Sequence, residues 1–152
     1  MVLNPHKVNR NVNKIVIHCS DSEFGCSGLI RDWHTKGNGW SDIGYHFVIP
    51  NGRVFNNQYN SAMDGSLEVG RPLEVPGAHA RGHNQDTVAI CLIGVKDFTT
   101  KQLHTLSWNI MDLIKRFDLG IEDVIGHNEL DNSKTCPNID MDELRNFLKI
   151  TI

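Results

Sequence analysis

"KIVIHCS", residues 14–20, sets Ile15, Val16 and Ile17 between a lysine and a His–Cys pair. A short continuous apolar run with polar ends reads as a strand buried on both faces, as found inside parallel or mixed sheets. Successive side chains of a strand point to opposite faces, so His18 and Cys19 look in different directions. "DTVAICLIGV" (86–95) predicts a second buried strand, and "DVIG" (123–126) a short third one. "GYHFVIPNGRVFN" (44–56) predicts two strands folded back on each other around its "PNG" turn.

Helices separate these strands. "SGLIRDWHTKG" (27–37) places Leu29, Ile30 and Trp33 at helical spacing, with Gly37 as its stop. "TTKQLHTLSWNIMDLIKRFDLG" (99–120) is the clearest helix. Its apolar stripe is Leu103, Leu106, Ile110, Leu113 and Phe117; Thr99 and Gln102 form a capping box, and Gly120 ends it. "DMDELRNFLKI" (140–150) predicts a last helix capped by Asp140 and Glu143. Residues 60–84 show no periodicity and read as a long Gly- and Pro-rich connection, a type that is often functional. The expected fold class is α/β, one domain with a central mixed β-sheet of about five or six strands flanked by helices.

The chain has 152 residues, the length of one domain, which buries roughly two-thirds of its surface without staples. That domain is expected to fill residues 1–152, with its core over 12–148. A net charge of −3 without a Lys/Arg cluster argues against a primary nucleic-acid binder. The polar "MVLNPHKVNRNVNK" lacks the apolar core of a secretory signal, and "VAICLIGV" is too short to span a bilayer. The expectation is therefore synthesis in the cytosol without membrane insertion. Four cysteines allow two disulfides, but a core-bearing cytosolic chain favours free thiols or metal ligands.

His18 near the end of one strand, His127 just past another and Cys136 in the loop beyond can converge, because sites in open α/β sheets gather at strand ends. Two His and one Cys leave a fourth position open, the catalytic rather than the structural zinc pattern. No HExxH or CxxC pair supports this, so spacing alone is a weak signal. Lys134 lies two residues before Cys136 and, in extended chain, points the same way. It is either an oxyanion stabiliser beside the metal or a solvated loop lysine. His46 and Tyr45 are expected on opposite faces, His34 and His104 exposed on helices, and His6 in the polar terminus. Cys19 and Cys91 read as buried small hydrophobes. Cys26 reads as inert, though it is also a conceivable regulatory partner of Cys136.

"IVIHCSDS", "WHTKGNGWSDIGYHFVIPNG", "GRPLEVPGAHARGHNQDTVAICLIG" and "GHNELDNSKTCP" occur in this order. Together they resemble the zinc-dependent N-acetylmuramoyl-L-alanine amidases of the second type, a group that includes amidase-type phage endolysins and animal peptidoglycan recognition proteins. The resemblance implies a zinc site in a surface groove and cleavage of the amide between N-acetylmuramic acid and the L-alanine of the stem peptide. It implies one Zn²⁺ per chain on His18, His127 and Cys136, with Tyr45 and Lys134 as catalytic residues. Trp40, His79, Arg81 and His83 are candidate substrate contacts. The last three sit on alternate positions of "GAHARGHN", and in an extended loop would share a side.

Only six residues separate His127 from Lys134, as in the compact phage form. The expected partner is peptidoglycan or a muropeptide, the expected state a monomer. The expected site of action is the cell wall, after release through a holin or an export system. Two alternatives stand beside this: a peptidoglycan-binding protein without catalysis, against which Cys136 speaks, and an amidase that also regulates a phage RNA polymerase.

Overall fold

The structure, a computed structural model, describes residues 8–151; His6 lies outside them. Five strands form the main sheet: β1 (Lys14–Cys19), β2 (Phe47–Ile49), β5 (Glu68–Val69), β6 (Thr87–Leu92) and β7 (Val124–Gly126). β3 (Asn51–Arg53) and β4 (Tyr59–Asp64) pair in a small second sheet. The main order is β5-β2-β6-β1-β7, parallel except for the antiparallel edge strand β5. The expected mixed sheet is present, and β6, buried along its whole length, is its middle strand.

The register decides what each face of the sheet does. Ile15 lies beside Val88, Ile17 beside Ile90 and Ile49 beside Leu92. This set packs on Leu106, Ile110 and Leu113 of α2 (Thr100–Phe117) and on Leu144 and Leu148 of α4 (Met141–Thr151). The alternate set, with His18 and Val48 flanking Cys91, faces the other way. There Val48, Cys91 and Ile93 pack against Ile43 and against Ile30 of α1 (Ser27–Asp32). One face is therefore the main core, and the other is shared by a smaller apolar cluster and the His18 side chain.

Several expectations need correction. The "PNG" hairpin does not form. Pro50 has no N–H to offer, its carbonyl accepts from Gly65 N–H (2.8 Å), and Gly52 takes φ +91°. The chain thereby passes from one sheet to the other, and β3 turns back onto β4 instead. Residues 60–84 are not all connection either, since most of β4 and all of β5 lie there; both are polar and exposed or only partly buried, so no apolar alternation marks them.

The first helix is α-helical only to Asp32 and continues as a π-helical turn over Trp33–Gly37; Ile30 is buried, but Trp33 remains 40% exposed. Leu103 is likewise exposed, so the buried part of the α2 stripe begins at Leu106. α2 ends at Asp118 in the left-handed region, ahead of Gly120, because Asp tolerates that conformation better than most residues.

The Thr99–Gln102 capping box is present, and it does more than cap. Fully buried Gln102 accepts from Thr99 N–H and donates to the carbonyls of Ile49 and Ile93, fastening α2 to the ends of two strands. Gln102→Leu keeps the bulk but strips partners from these buried backbone groups. It is expected to lower unfolding free energy by about 3 kcal/mol in urea titrations.

Candidate metal centre

β1 delivers His18 to the sheet face opposite the main core, where it is almost fully buried. His127 begins the short helix α3 (His127–Leu130), directly after β7. That turn is braced: Gly126 N–H donates to Glu129 Oε1 (2.9 Å), and Arg145 grips both Glu129 oxygens at 2.8 and 3.0 Å. Cys136 is tied back to α3 by Asn128 N–H, which donates to its carbonyl (2.8 Å). The nearest donor atoms of His18, His127 and Cys136 all lie within 4.8 Å of one another. His18 Nδ1 and Cys136 Sγ are 3.8 Å apart. Tetrahedral zinc with ligand bonds of about 2.0–2.3 Å needs donors roughly 3.3–3.8 Å apart, so the donor types fit zinc and the His18–Cys136 separation meets that span.

Burial lowers His18 well below the ordinary imidazole range, helped by His79 and His127. Burial, then the nearby Lys134, also lowers His127. Both rings are thus neutral near pH 7, the form that binds metal. Cys136 Sγ accepts the Cys19 backbone N–H at 3.0 Å, and the two thiols are hydrogen-bonded to each other. That contact lowers the Cys19 ionisation to about 7 and raises the Cys136 one. A cation on the two imidazoles would draw the thiolate onto Cys136, where the Cys19 N–H already points.

Tyr45 stands over His18, with ring centroids 5.1 Å apart. Burial, then the facing thiols of Cys91, Cys136 and Cys19, hold its phenol well above the ordinary value, so it is a neutral donor and not a base. A groove of about 540 Å³ opens beside the donors, lined by Trp40, His79, Arg81, His127, Asp131 and Lys134 among others.

A family profile described as N-acetylmuramoyl-L-alanine amidase matches residues 8–139. The chain belongs to the N-acetylmuramoyl-L-alanine amidase family. It is 30% identical over 146 residues to the endolysin of Escherichia phage T7, covering 89% of this chain and 86% of that one. The amidase LysC from Clostridium intestinale shares its architecture with TM-score 0.77 at 27% identity, over 93% of this chain and 88% of that one. A Drosophila peptidoglycan recognition protein, PGRP-LB, solved as a mutant in complex with tracheal cytotoxin, shares the fold alone. Its TM-score is 0.67 at 24% identity, over 86% of this chain and 78% of that one.

The remaining expected site residues of this amidase-family chain divide. Trp40 is 40% exposed, packs at a tilt against His34 with ring centroids 4.6 Å apart, and lines the groove. Arg81 and Lys134 are exposed along it. His79, Arg81 and His83 do not share a side. Residues 80–83 form a turn, with His83 N–H donating to Ala80 O (2.8 Å) and Gly82 at φ +83°, which breaks the alternation. His79 points inward instead: its Nδ1 is 2.8 Å from His18 Nε2 and its Nε2 is 2.9 Å from Thr87 Oγ1. With both nitrogens engaged, it has none left for substrate. The His83 side chain is exposed, and the residue joins the site through its backbone carbonyl, which accepts from Thr87 Oγ1 (2.6 Å). Lys134 and Cys136 sit in consecutive turns rather than extended chain, yet both border the site.

His34 is not a free surface residue. Its Nδ1 accepts Gly44 N–H (2.9 Å) and its ring supports Trp40 and Tyr45. His104 is exposed as expected. Tyr45 and His46 precede β2, so strand alternation does not separate them, and both reach the histidine cluster. Cys19 and Cys91 are buried as expected, but Cys19, not Cys26, is the thiol beside Cys136; all four cysteines are free. His34, Cys19, Thr87 and Asp131 carry no motif of their own and show themselves only in three dimensions.

His46 is fully buried, accepts Ala89 N–H at Nδ1 (3.1 Å) and donates from Nε2 to Val75 O (2.8 Å). Burial lowers its pKa to about 4. Between the unfolded value near 6.5 and about 4, the unfolded chain takes up a proton that the folded one refuses. This contribution is complete above pH 6.5 and is lost as pH falls, on the order of 3 kcal/mol by pH 4. Denaturation midpoints are expected to fall steadily from pH 7 to 4.5, while NMR shows the His46 ring still neutral at pH 5.

Proposed function

We propose that the chain is a zinc-dependent peptidoglycan amidase. It hydrolyses the amide between the lactyl group of N-acetylmuramic acid and the L-alanine of the stem peptide. The convergence of His18, His127 and Cys136 beside an open groove, in a chain of the amidase family, carries this reading. One zinc ion bound there supplies Lewis-acid polarisation of a carbonyl and a bound water with a pKa near 7.

The protein's own groups do the rest. Tyr45, neutral and directly over His18, orients the attacking water and donates a hydrogen bond to developing negative charge. Lys134 brings a positive charge to the groove wall for the tetrahedral oxyanion. Arg81 is placed to meet a stem-peptide carboxylate, and Trp40 gives the substrate an apolar wall. A binding protein without catalysis is the weaker alternative, because Cys136 completes the donor set. The endolysin relatives favour action on the cell wall after release, and a monomer suffices since one chain supplies every group. No helix among the described residues is long and apolar enough to cross a membrane.

Elemental analysis is expected to find about one zinc per chain, with wall lysis lost on chelation and in Cys136→Ser. Full lysis by metal-free Cys136→Ser would overturn the proposal. Lys134→Ala is expected to keep its zinc and lose roughly 10²–10³ in kcat on muropeptides. An unchanged kcat would reduce Lys134 to a loop lysine.

A further inference from the structure

His18 ends a chain of hydrogen bonds whose direction is set from its far end. Thr87 Oγ1 lies 2.6 Å from the carbonyl of His83, which can only accept, so the hydroxyl proton goes there. Thr87 Oγ1 must then accept from His79 Nε2, 2.9 Å away, which puts the His79 proton on Nε2. In the neutral ring, which carries a single proton, His79 Nδ1 is left as a bare lone pair, 2.8 Å from His18 Nε2. His18 therefore carries its proton on Nε2, and its Nδ1 lone pair faces Cys136 Sγ and the centre of the donor set.

The chain is built to hold this order. Thr87 is almost fully buried and His79 mostly so. Asn84 Oδ1 fixes the backbone under the ring by accepting from the N–H groups of His79 (2.9 Å) and Ala80 (3.0 Å). Gly77 leaves the room the ring needs, since a Cβ there would lie 2.8 Å from His79 Cδ2. His79 borders the groove, but both of its ring nitrogens are already engaged, so its role is orientation and not hydrogen bonding to substrate.

We propose that His79 and Thr87 are positioning residues that fix the tautomer of His18, so that Nδ1 is its metal-binding nitrogen. Partners of this kind, one step behind a ligating histidine, commonly set metal affinity by 10- to 100-fold. The inference rests on the zinc reading for its consequence but not for its premise, because the tautomer exists without metal.

Two measurements test it. In metal-free wild-type protein, ¹⁵N NMR is expected to show His18 protonated at Nε2 and bare at Nδ1; the reverse assignment overturns the proposal whether or not the protein binds zinc. Zinc affinity is then measured by competition with a chromophoric chelator for Thr87→Ser and Thr87→Val, with circular dichroism as the check on folding. Thr87→Ser retains the hydroxyl and is expected to stay within about twofold of wild type, while shape-matched Thr87→Val loses about tenfold or more and mixes the His18 tautomers. Wild-type affinity with an unmixed tautomer in Thr87→Val, or a larger loss in Thr87→Ser than in Thr87→Val, would make Thr87 a packing residue and sink the idea. Wild-type protein that binds no zinc at all would refute the metal reading, and the tautomer result would then stand alone.

Discussion

The pairing register of β1 with β6 is the constraint on which the molecule depends. With His18 beside Cys91, Ile15 and Ile17 enter the main core and His18 leaves it. A slip of one residue would exchange the two sets, burying an imidazole among α2 side chains and turning isoleucines toward the groove. The apolar content of β6 does not by itself penalise that slip, since β6 has no polar residue between Thr87 and its end to mark a wet side. What separates the faces is not polarity but cover. Two long helices seal one face, and a short helix leaves part of the other free.

The groove walls are irregular chain, and partly buried guanidinium groups replace the missing strand and helix bonds. Arg71 donates from Nε to Ile43 O (2.9 Å) and from one terminal nitrogen to Pro76 O (2.8 Å), joining the two segments that carry Tyr45 and His79. Arg10 reaches the carbonyls of Leu73, Asn84 and Thr87, closing the same loop from the N-terminal side. Burial makes the Arg10 charge less comfortable than usual, and the facing Asp86 offsets part of that cost. An arginine with several fixed donors suits this task, because carbonyls that no secondary structure satisfies must find partners elsewhere.

The parts of the fold that were legible in the sequence are those with strong periodicity. β1, β6 and α2 declare themselves through apolar pattern and a capping box that local chemistry completes. β4 and β5 are silent because they are short, polar and at an edge, where burial does not select side chains. "PNG" misleads because it is a genuine turn signal while the strands on either side of it belong to different sheets. At the site, strand-end placement and donor type bring His18, His127 and Cys136 together as a weak signal, and the order of four sequence blocks sharpens it and adds Tyr45. The role of His79 was beyond reach. Its alternation with Arg81 suggested a shared surface, and only the turn through Gly82 separates a buried ring from an exposed guanidinium.

The same register has a consequence for how the molecule is made. β1 pairs with β7 across more than a hundred residues, and Cys19 meets Cys136 across a similar span. Contacts so distant in sequence close late, because a long loop must lose its freedom before they contribute anything. A nascent chain that has not yet extruded residues 127–136 owns one metal donor of the three, however well its first half is folded. The three candidate donors are thus together only once residues 127–136 have emerged and folded back onto β1.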